Sequence, residues 1–145
     1  MKEFQIEYRP NDVLCREGDP SDNMFYLKSG RLLVCVLSGT EVKAIARIEA
    51  GQFVGELAFF DGKPRSSNVI VLERSVIVPL GKEDLTEHLP KWFIEIGKNL
   101  TKKIRLLDHI LQESRIRKTV QTDDQTPLSI DEQRKIYSLL THQKD

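Results

Sequence analysis

The sequence predicts a mainly β domain with flanking helices: a strand-rich N-terminal part followed by a long C-terminal helix. Two observations predict it. Over residues 6–80, short segments of strand character are separated by turn clusters at regular spacing. After Gly81 the hydrophobic period changes from about two to that of a helix. Short strands with regular reversals fit a closed or double-sheet β architecture.

Taken in order, residues 6–14 read as extended structure interrupted at Arg9-Pro10-Asn11-Asp12. Residues 17–23 form a dense turn cluster with Gly18, Asp19, Pro20 and Asn23. Residues 24–28 read as a strand closed by Ser29-Gly30, and residues 31–37 are β-rich up to the reversal Ser38-Gly39-Thr40. Residues 41–49 alternate. Val42, Ala44, Ala46 and Ile48 are expected on one face and Glu41, Lys43, Arg47 and Glu49 on the other, with Ile45 breaking the rule. Residues 68–72 and 75–80 are two more strands around Glu73-Arg74.

Beyond Gly81, Lys82-Glu83-Asp84-Leu85 reads as a short helix, and Pro90 sits where a helix often starts. Residues 91–118 are helical in pattern, a length of about 40 Å at ~1.5 Å per residue. Leu100, Ile104, Leu107 and Leu111 are spaced four, three, four, which is an a/d seam. Phe93, Ile94 and Ile96 are expected to pack on the chain's own β region, and the later seam is expected to form a short parallel dimer with a second copy. Lys98, Lys102, Lys103, Arg105, Arg115, Arg117 and Lys118 make the helix basic, which reads as a solvated face. Residues 119–126 are polar and lead to Pro127. Ser129-Ile130-Asp131-Glu132 is a capping-box pattern opening a helix with Ile136, Leu139 and Leu140 on one side. A helix of this length needs support from packing and is expected to dock on the domain. The expected organisation is residues 1–90 as the β domain with short helices, 91–118 as the long helix, and 119–145 as linker and terminal helix.

Composition narrows the function classes. The 145 residues suffice for one domain with a real core. Lys plus Arg and Asp plus Glu both number 22, so the body of the chain is not built as a polyanion-binding surface. No apolar run approaches the ~20 residues of a membrane helix, and the N-terminus lacks the apolar core of a secretory signal. Cys15 and Cys35 form no disulfide framework, and free cysteines at strand positions point to a reducing cytoplasm. His88, His109 and His142 are scattered, without metal-ligand spacing or a nucleophile–base pattern. The chain is therefore expected to be neither a metal-dependent phosphodiesterase nor a metal-holding barrel, and not an enzyme.

One stretch carries chemistry. Gly55 permits a backbone conformation that side chains resist and a close approach of ligand to chain. The amides of Glu56, Leu57 and Ala58 would then open a helix without internal acceptors, a setting that attracts an anion. Nine residues after Glu56 stands Arg65, preceded by Pro64 and followed by Ser66 and Ser67. A guanidinium fork suits two phosphate oxygens. Glu56, an acceptor only, suits a ligand hydroxyl. An anion cradle, a cation and a carboxylate together describe a sugar phosphate. The competing reading is a buried turn closed by an internal Arg65–Glu56 pair.

Gly55-Glu56-Leu57-Ala58 followed by Pro64-Arg65-Ser66-Ser67 resembles the phosphate-binding cassette of the cyclic-nucleotide-binding domains, found in the catabolite activator protein, the regulatory subunit of the cAMP-dependent kinase and cyclic-nucleotide-gated channels. Arg16-Glu17-Gly18-Asp19, Met24-Phe25-Tyr26-Leu27 and Ser29-Gly30-Arg31 extend the resemblance over the whole β region. It implies an eight-stranded β-roll (jelly-roll-like) followed by a long C-terminal helix, with cAMP or cGMP as ligand and no other cofactor. It also implies that Glu56 binds the ribose 2′-hydroxyl and Arg65 the exocyclic phosphate oxygens. The amides of residues 55–58 and of Ser66 or Ser67 would complete the phosphate shell.

Ser66 is compatible with either base. Counting from Pro90, the adenine-contacting pair of the catabolite activator branch falls on Leu107 and Asp108, a departure from its Thr-Ser pattern that leaves base choice open. The resemblance implies a sensor signalling through helix movement, dimeric through the long helix and acting on a downstream protein. The alternatives are a degenerate scaffold working by protein–protein contact and a fragment of a transcription regulator. Only residues 119–145 follow the long helix, so direct DNA binding is not expected.

Overall fold

The computed structural model describes residues 4–113 and 126–142. Eight strands form two four-stranded sheets, antiparallel throughout. The first contains β1 (Ile6–Tyr8), β8 (Ser75–Gly81), β3 (Asn23–Ser29) and β6 (Phe53–Val54), in that order. The second contains β2 (Val13–Cys15), β7 (Asn68–Val71), β4 (Arg31–Ser38) and β5 (Glu41–Glu49). Every hydrogen-bonded neighbour except the β4–β5 hairpin is distant in sequence, as in a rolled sheet rather than a meander. α1 (Glu56–Asp61) bridges β6 and β7. α2 (Lys82–Thr86), α3 (Lys91–Glu113) and α4 (Ile130–Thr141) follow the roll.

The space between the sheets is filled by Leu27 and Ile77 from one side and Leu32, Val34, Val69 and Val71 from the other. The second sheet is buried on its outer face too, where Leu33, Cys35, Val42 and Ile70 pack under Leu128 and Ile136. Coverage on both faces explains the unbroken apolar run of β4, since a strand with one wet face would alternate.

The same double coverage corrects the reading of β5. Val34 pairs with Ala46 and Cys35 with Ala44, so Ile45 is the extra residue of a β-bulge. The bulge inverts the side-chain alternation: Val42 and Ala44 join the outer cluster, while Ala46 and Ile48 join the inner one. The four residues do not share one face.

α4 opens with the expected capping box, Ser129 and Glu132 each bonding the other's backbone amide. It docks on the domain as expected. Gln133 Oε1 accepts from the amide of Val42 at 3.2 Å, and Arg16 Nη1 donates to the carbonyls of Leu139 and Leu140 at 3.4 and 3.2 Å.

α3 departs from expectation. Phe93 and Ile96 do not pack on the roll and are exposed, along with Leu100, Ile104, Leu107 and Leu111. Ile94 alone of the three expected residues is turned inward, on a stripe with Gly97, Thr101 and Arg105. Small residues there let α3 approach α1 closely: a Cβ at residue 97 would overlap the ring of Phe60. The remainder of the expected helix and most of the expected linker lie outside the described residues.

Candidate functional site

Gly55 stands at the start of α1 with φ 84°, in the left-handed region that favours glycine. No side chain caps the helix, so the amides of its first turn face outward without an intrahelical acceptor. Ala58 and Phe59 anchor the helix in the core.

Arg65 is pinned at both ends. Its amide donates to the carbonyl of Asp19 at 2.9 Å, and its carbonyl accepts from the amide of Gly18 at 2.8 Å, which ties it to the β2–β3 turn. Its guanidinium donates to the carbonyls of Asn23 at 2.8 Å and Gly55 at 3.4 Å and lies 5.2 Å from the centre of the Phe25 ring. A Cβ on residue 55 would overlap Nη1, so Gly55 serves both the turn and the seat of the arginine. Arg65 is only 9% exposed, yet it has no carboxylate partner among the described residues. The internal Arg65–Glu56 pair is therefore not formed. Glu56 is exposed at the head of α1 and makes no ion pair among the described residues.

These residues open onto a cavity of about 400 Å³. Gly55, Glu56, Leu57, Ala58, Arg65, Ser66 and Ser67 all line it. From α3, Asp108 reaches the same cavity, whereas Leu107 does not line it and is exposed. The opposite wall is apolar: Val34, Val36, Ile45, Ala46, Ile48 and Phe53. Sequence reading did not assign these residues to the site, although the broken alternation at Ile45 was a signal, because the bulge residue is one of them. Cys15 also lines the cavity. Burial pushes its thiol up to about 11 and Asp19 adds to that, while the charge of Arg65 pulls the other way. The thiol stays protonated at neutral pH and is a poor nucleophile. No group of three or more His, Cys, Asp or Glu able to hold a metal ion occurs among the described residues, and no described helix is long and apolar enough to cross a membrane.

A sequence profile described as "Cyclic nucleotide-binding domain" matches residues 5–90. The chain belongs to the cyclic nucleotide-binding domain family. The chain is 30% identical over 113 residues to the cyclic nucleotide-gated channel rod photoreceptor subunit alpha of Gallus gallus, covering 70% of this chain and 17% of that protein. Among solved structures, the cAMP-bound form of the EAL enzyme Bd1971 superposes with a TM-score of 0.64 at 25% identity, over 78% of this chain and 32% of that one. The catabolite activator protein of Thermus thermophilus gives a TM-score of 0.63 at 17% identity, over 79% and 54%. The chain thus spans less than a fifth of the channel subunit. With the two solved structures the cyclic nucleotide-binding domain shares its fold.

Proposed function

We propose that this chain is a cyclic-nucleotide sensor whose ligand occupies the cavity between α1, β4, β5 and α3. The observation that carries the reading is Arg65, a buried guanidinium that faces a cavity and, among the described residues, donates to backbone carbonyls with no carboxylate partner. A buried cation without a counter-charge is costly, and an anion in the cavity would lower that cost. A cyclic phosphate offers the oxygens that a guanidinium fork accepts, with the free amides of α1 beside it. Glu56 would accept from the ribose hydroxyl, Ser66 and Ser67 would complete the phosphate shell, and the apolar wall of Val36 and Ile45 would cover the base. Gly55, Leu57 and Ala58 would contribute backbone rather than side chains.

Asp108 favours guanine over adenine. A carboxylate only accepts, and the guanine edge presents two adjacent donors, N1–H and the N2 amine. The adenine edge places its single amine beside an acceptor nitrogen that a carboxylate repels. cGMP is therefore the preferred ligand in this reading, with cAMP as the weaker one.

Ligand binding would be transmitted from α1 to α3, because the two helices touch through Phe60 and Gly97 and are joined by Asp61 and Arg105. A ligand moves them only as far as it binds the two arrangements differently. The exposed seam of α3 would pair with a second copy, and the output would pass to a downstream protein. Two buried free cysteines fit a reducing cytoplasm.

The test is titration calorimetry of cGMP, cAMP and non-cyclic AMP. Binding of the cyclic ligands, reduced by ~2–5 kcal/mol in Arg65→Ala, is the expected result. Equal binding by parent and variant, or no response to either cyclic nucleotide, overturns the reading and leaves a scaffold acting through protein contacts alone.

A further inference from the structure

A second cavity of about 620 Å³ lies between α1 and α3 and shares no lining residue with the first. Its apolar part is the ring of Phe60, held against Gly97, and the side chain of Leu106, which is 58% exposed. Its charged part is four cations, Lys63, Lys98, Lys102 and Arg105, and one acid, Asp61. Arg105 is engaged by Asp61 in a two-point ion pair. Lys98 has only a loose partner, Glu95 at 3.7 Å. The ammonium groups of Lys63 and Lys102 have no ion pair among the described residues. Lys98 and Lys102 stand one helical turn apart, a like-charge spacing that destabilises a helix until an anion intervenes.

We propose that this cleft is a docking surface for an acidic segment of a partner protein, one apolar side chain flanked by carboxylates. Charge complementarity selects the occupant. Three ammonium groups rim an apolar floor, so carboxylates would settle on the rim while the apolar side chain covers Phe60 and Leu106. The only guanidinium, the better phosphate fork, is already committed to Asp61. The chain as a whole carries no net charge and so lacks the long-range field that nucleic-acid binding uses. The cleft is formed by the cassette helix and α3 together, so a segment bound there would touch both. The inference goes beyond the cyclic-nucleotide reading and does not require it.

The probe is a fluorescein-labelled synthetic peptide, Gly-Glu-Glu-Leu-Glu-Glu-Gly, titrated into the full chain at low salt, with a control in which glutamine replaces each glutamate. Anisotropy and amide NMR shifts are the readouts. The expected result is binding that shifts Phe60, Lys98, Lys102 and Leu106 and weakens at least about tenfold both in the glutamine control and in Lys98→Glu/Lys102→Glu. Lys98→Gln/Lys102→Gln serves if the charge reversal fails to fold. Arg65→Ala should leave peptide binding intact, which separates this result from failure of the cyclic-nucleotide site. Absence of binding at low salt, equal binding by the double variant, or shifts confined to other residues overturns the proposal. So does lysine-dependent binding to phosphatidylserine vesicles that the peptide does not compete for, which would make the cleft a membrane contact.

Discussion

Arg105 holds both carboxylate oxygens of Asp61, Nε at 2.5 Å from Oδ2 and Nη2 at 3.2 Å from Oδ1. This fork fastens the last residue of α1 to the middle of α3, and neither side chain is more than about a quarter exposed. Burial alone would push the Asp61 carboxyl up. The Arg105 hydrogen bond, the Lys63 amide and the charges of both cations outweigh it and hold the group below its ordinary value. A carboxyl depressed in the folded state adds stability that is fully present above its ordinary range and is lost as pH falls through the folded value. Asp61→Asn should therefore cost about 1–3 kcal/mol at neutral pH, the range for a broken charged hydrogen bond. The difference from the parent should vanish in strong acid. Urea unfolding of both proteins across pH checks it. A pH-independent difference would show that the pair does not hold the helices together electrostatically.

The part of the cavity proposed to hold the phosphate was legible in the sequence because it is local. Gly55, Glu56, Arg65 and Ser66 lie within a dozen residues, and their chemistry does not depend on which strand pairs with which. The apolar wall was not, because it is assembled from β4 and β5, whereas Asp108 on α3 was reached by counting from Pro90 and does line the cavity. The wall's decisive event is the bulge at Ile45, which sends Ala44 and Ala46 to opposite faces of the sheet, something strict period-two counting cannot express. α3 misled for a related reason. Its apolar residues outnumber its small ones, so the bulky Phe93 and Ile96 were expected with Ile94 to face the roll, ahead of the exposed seam. Packing against α1 instead selects residues without bulk, Gly97 and Thr101.

The position of Asp108 gives a prediction about ligand choice. It lines the cavity while its neighbour Leu107 does not. Replacing the carboxylate with an amide, Asp108→Asn, adds a donor able to face the adenine ring nitrogen and removes the doubly accepting group that suits guanine. The cGMP-to-cAMP affinity ratio should fall by about tenfold or more, from the loss of a charge-assisted contact. Leu107→Ala should leave that ratio unchanged. Calorimetry with both nucleotides checks it, and an unchanged ratio in Asp108→Asn would remove Asp108 from base recognition.

The exposed side of α3 gives a prediction about assembly. Leu100, Ile104, Leu107 and Leu111 all remain more than 40% exposed in a single chain, and their four-three-four spacing suits a second helix with the same pattern. Light scattering should report a dimer for the parent. Ile104→Glu with Leu107→Glu should yield a monomer whose circular dichroism retains the β-roll, because neither residue belongs to either core cluster. A monomeric parent at all accessible concentrations would leave the seam to some other partner.

The outer face of the second sheet ties α4 to the cavity proposed to hold the ligand. Cys35 and Ile70 lie beneath Leu128 and Ile136, while their strand neighbours Val34, Val36 and Val69 line the cavity on the other side. Alternation along β4 and β7 thus makes one layer of backbone both the seat of α4 and a wall of the site. Ile136 is 5% exposed, and its truncation to alanine should cost about 2–5 kcal/mol in urea unfolding, the usual range for deleting a buried branched side chain. Arg16→Ala is the gentler variant, removing the partly buried side chain whose guanidinium holds the carbonyls of Leu139 and Leu140. Because the wall is shared, Arg16→Ala should also weaken cyclic-nucleotide binding measurably, and ligand should slow amide exchange in α4 of the parent. If α4 exchanges at the same rate with and without ligand, and Arg16→Ala binds as the parent does, then the helix stabilises the sheet without sensing the cavity.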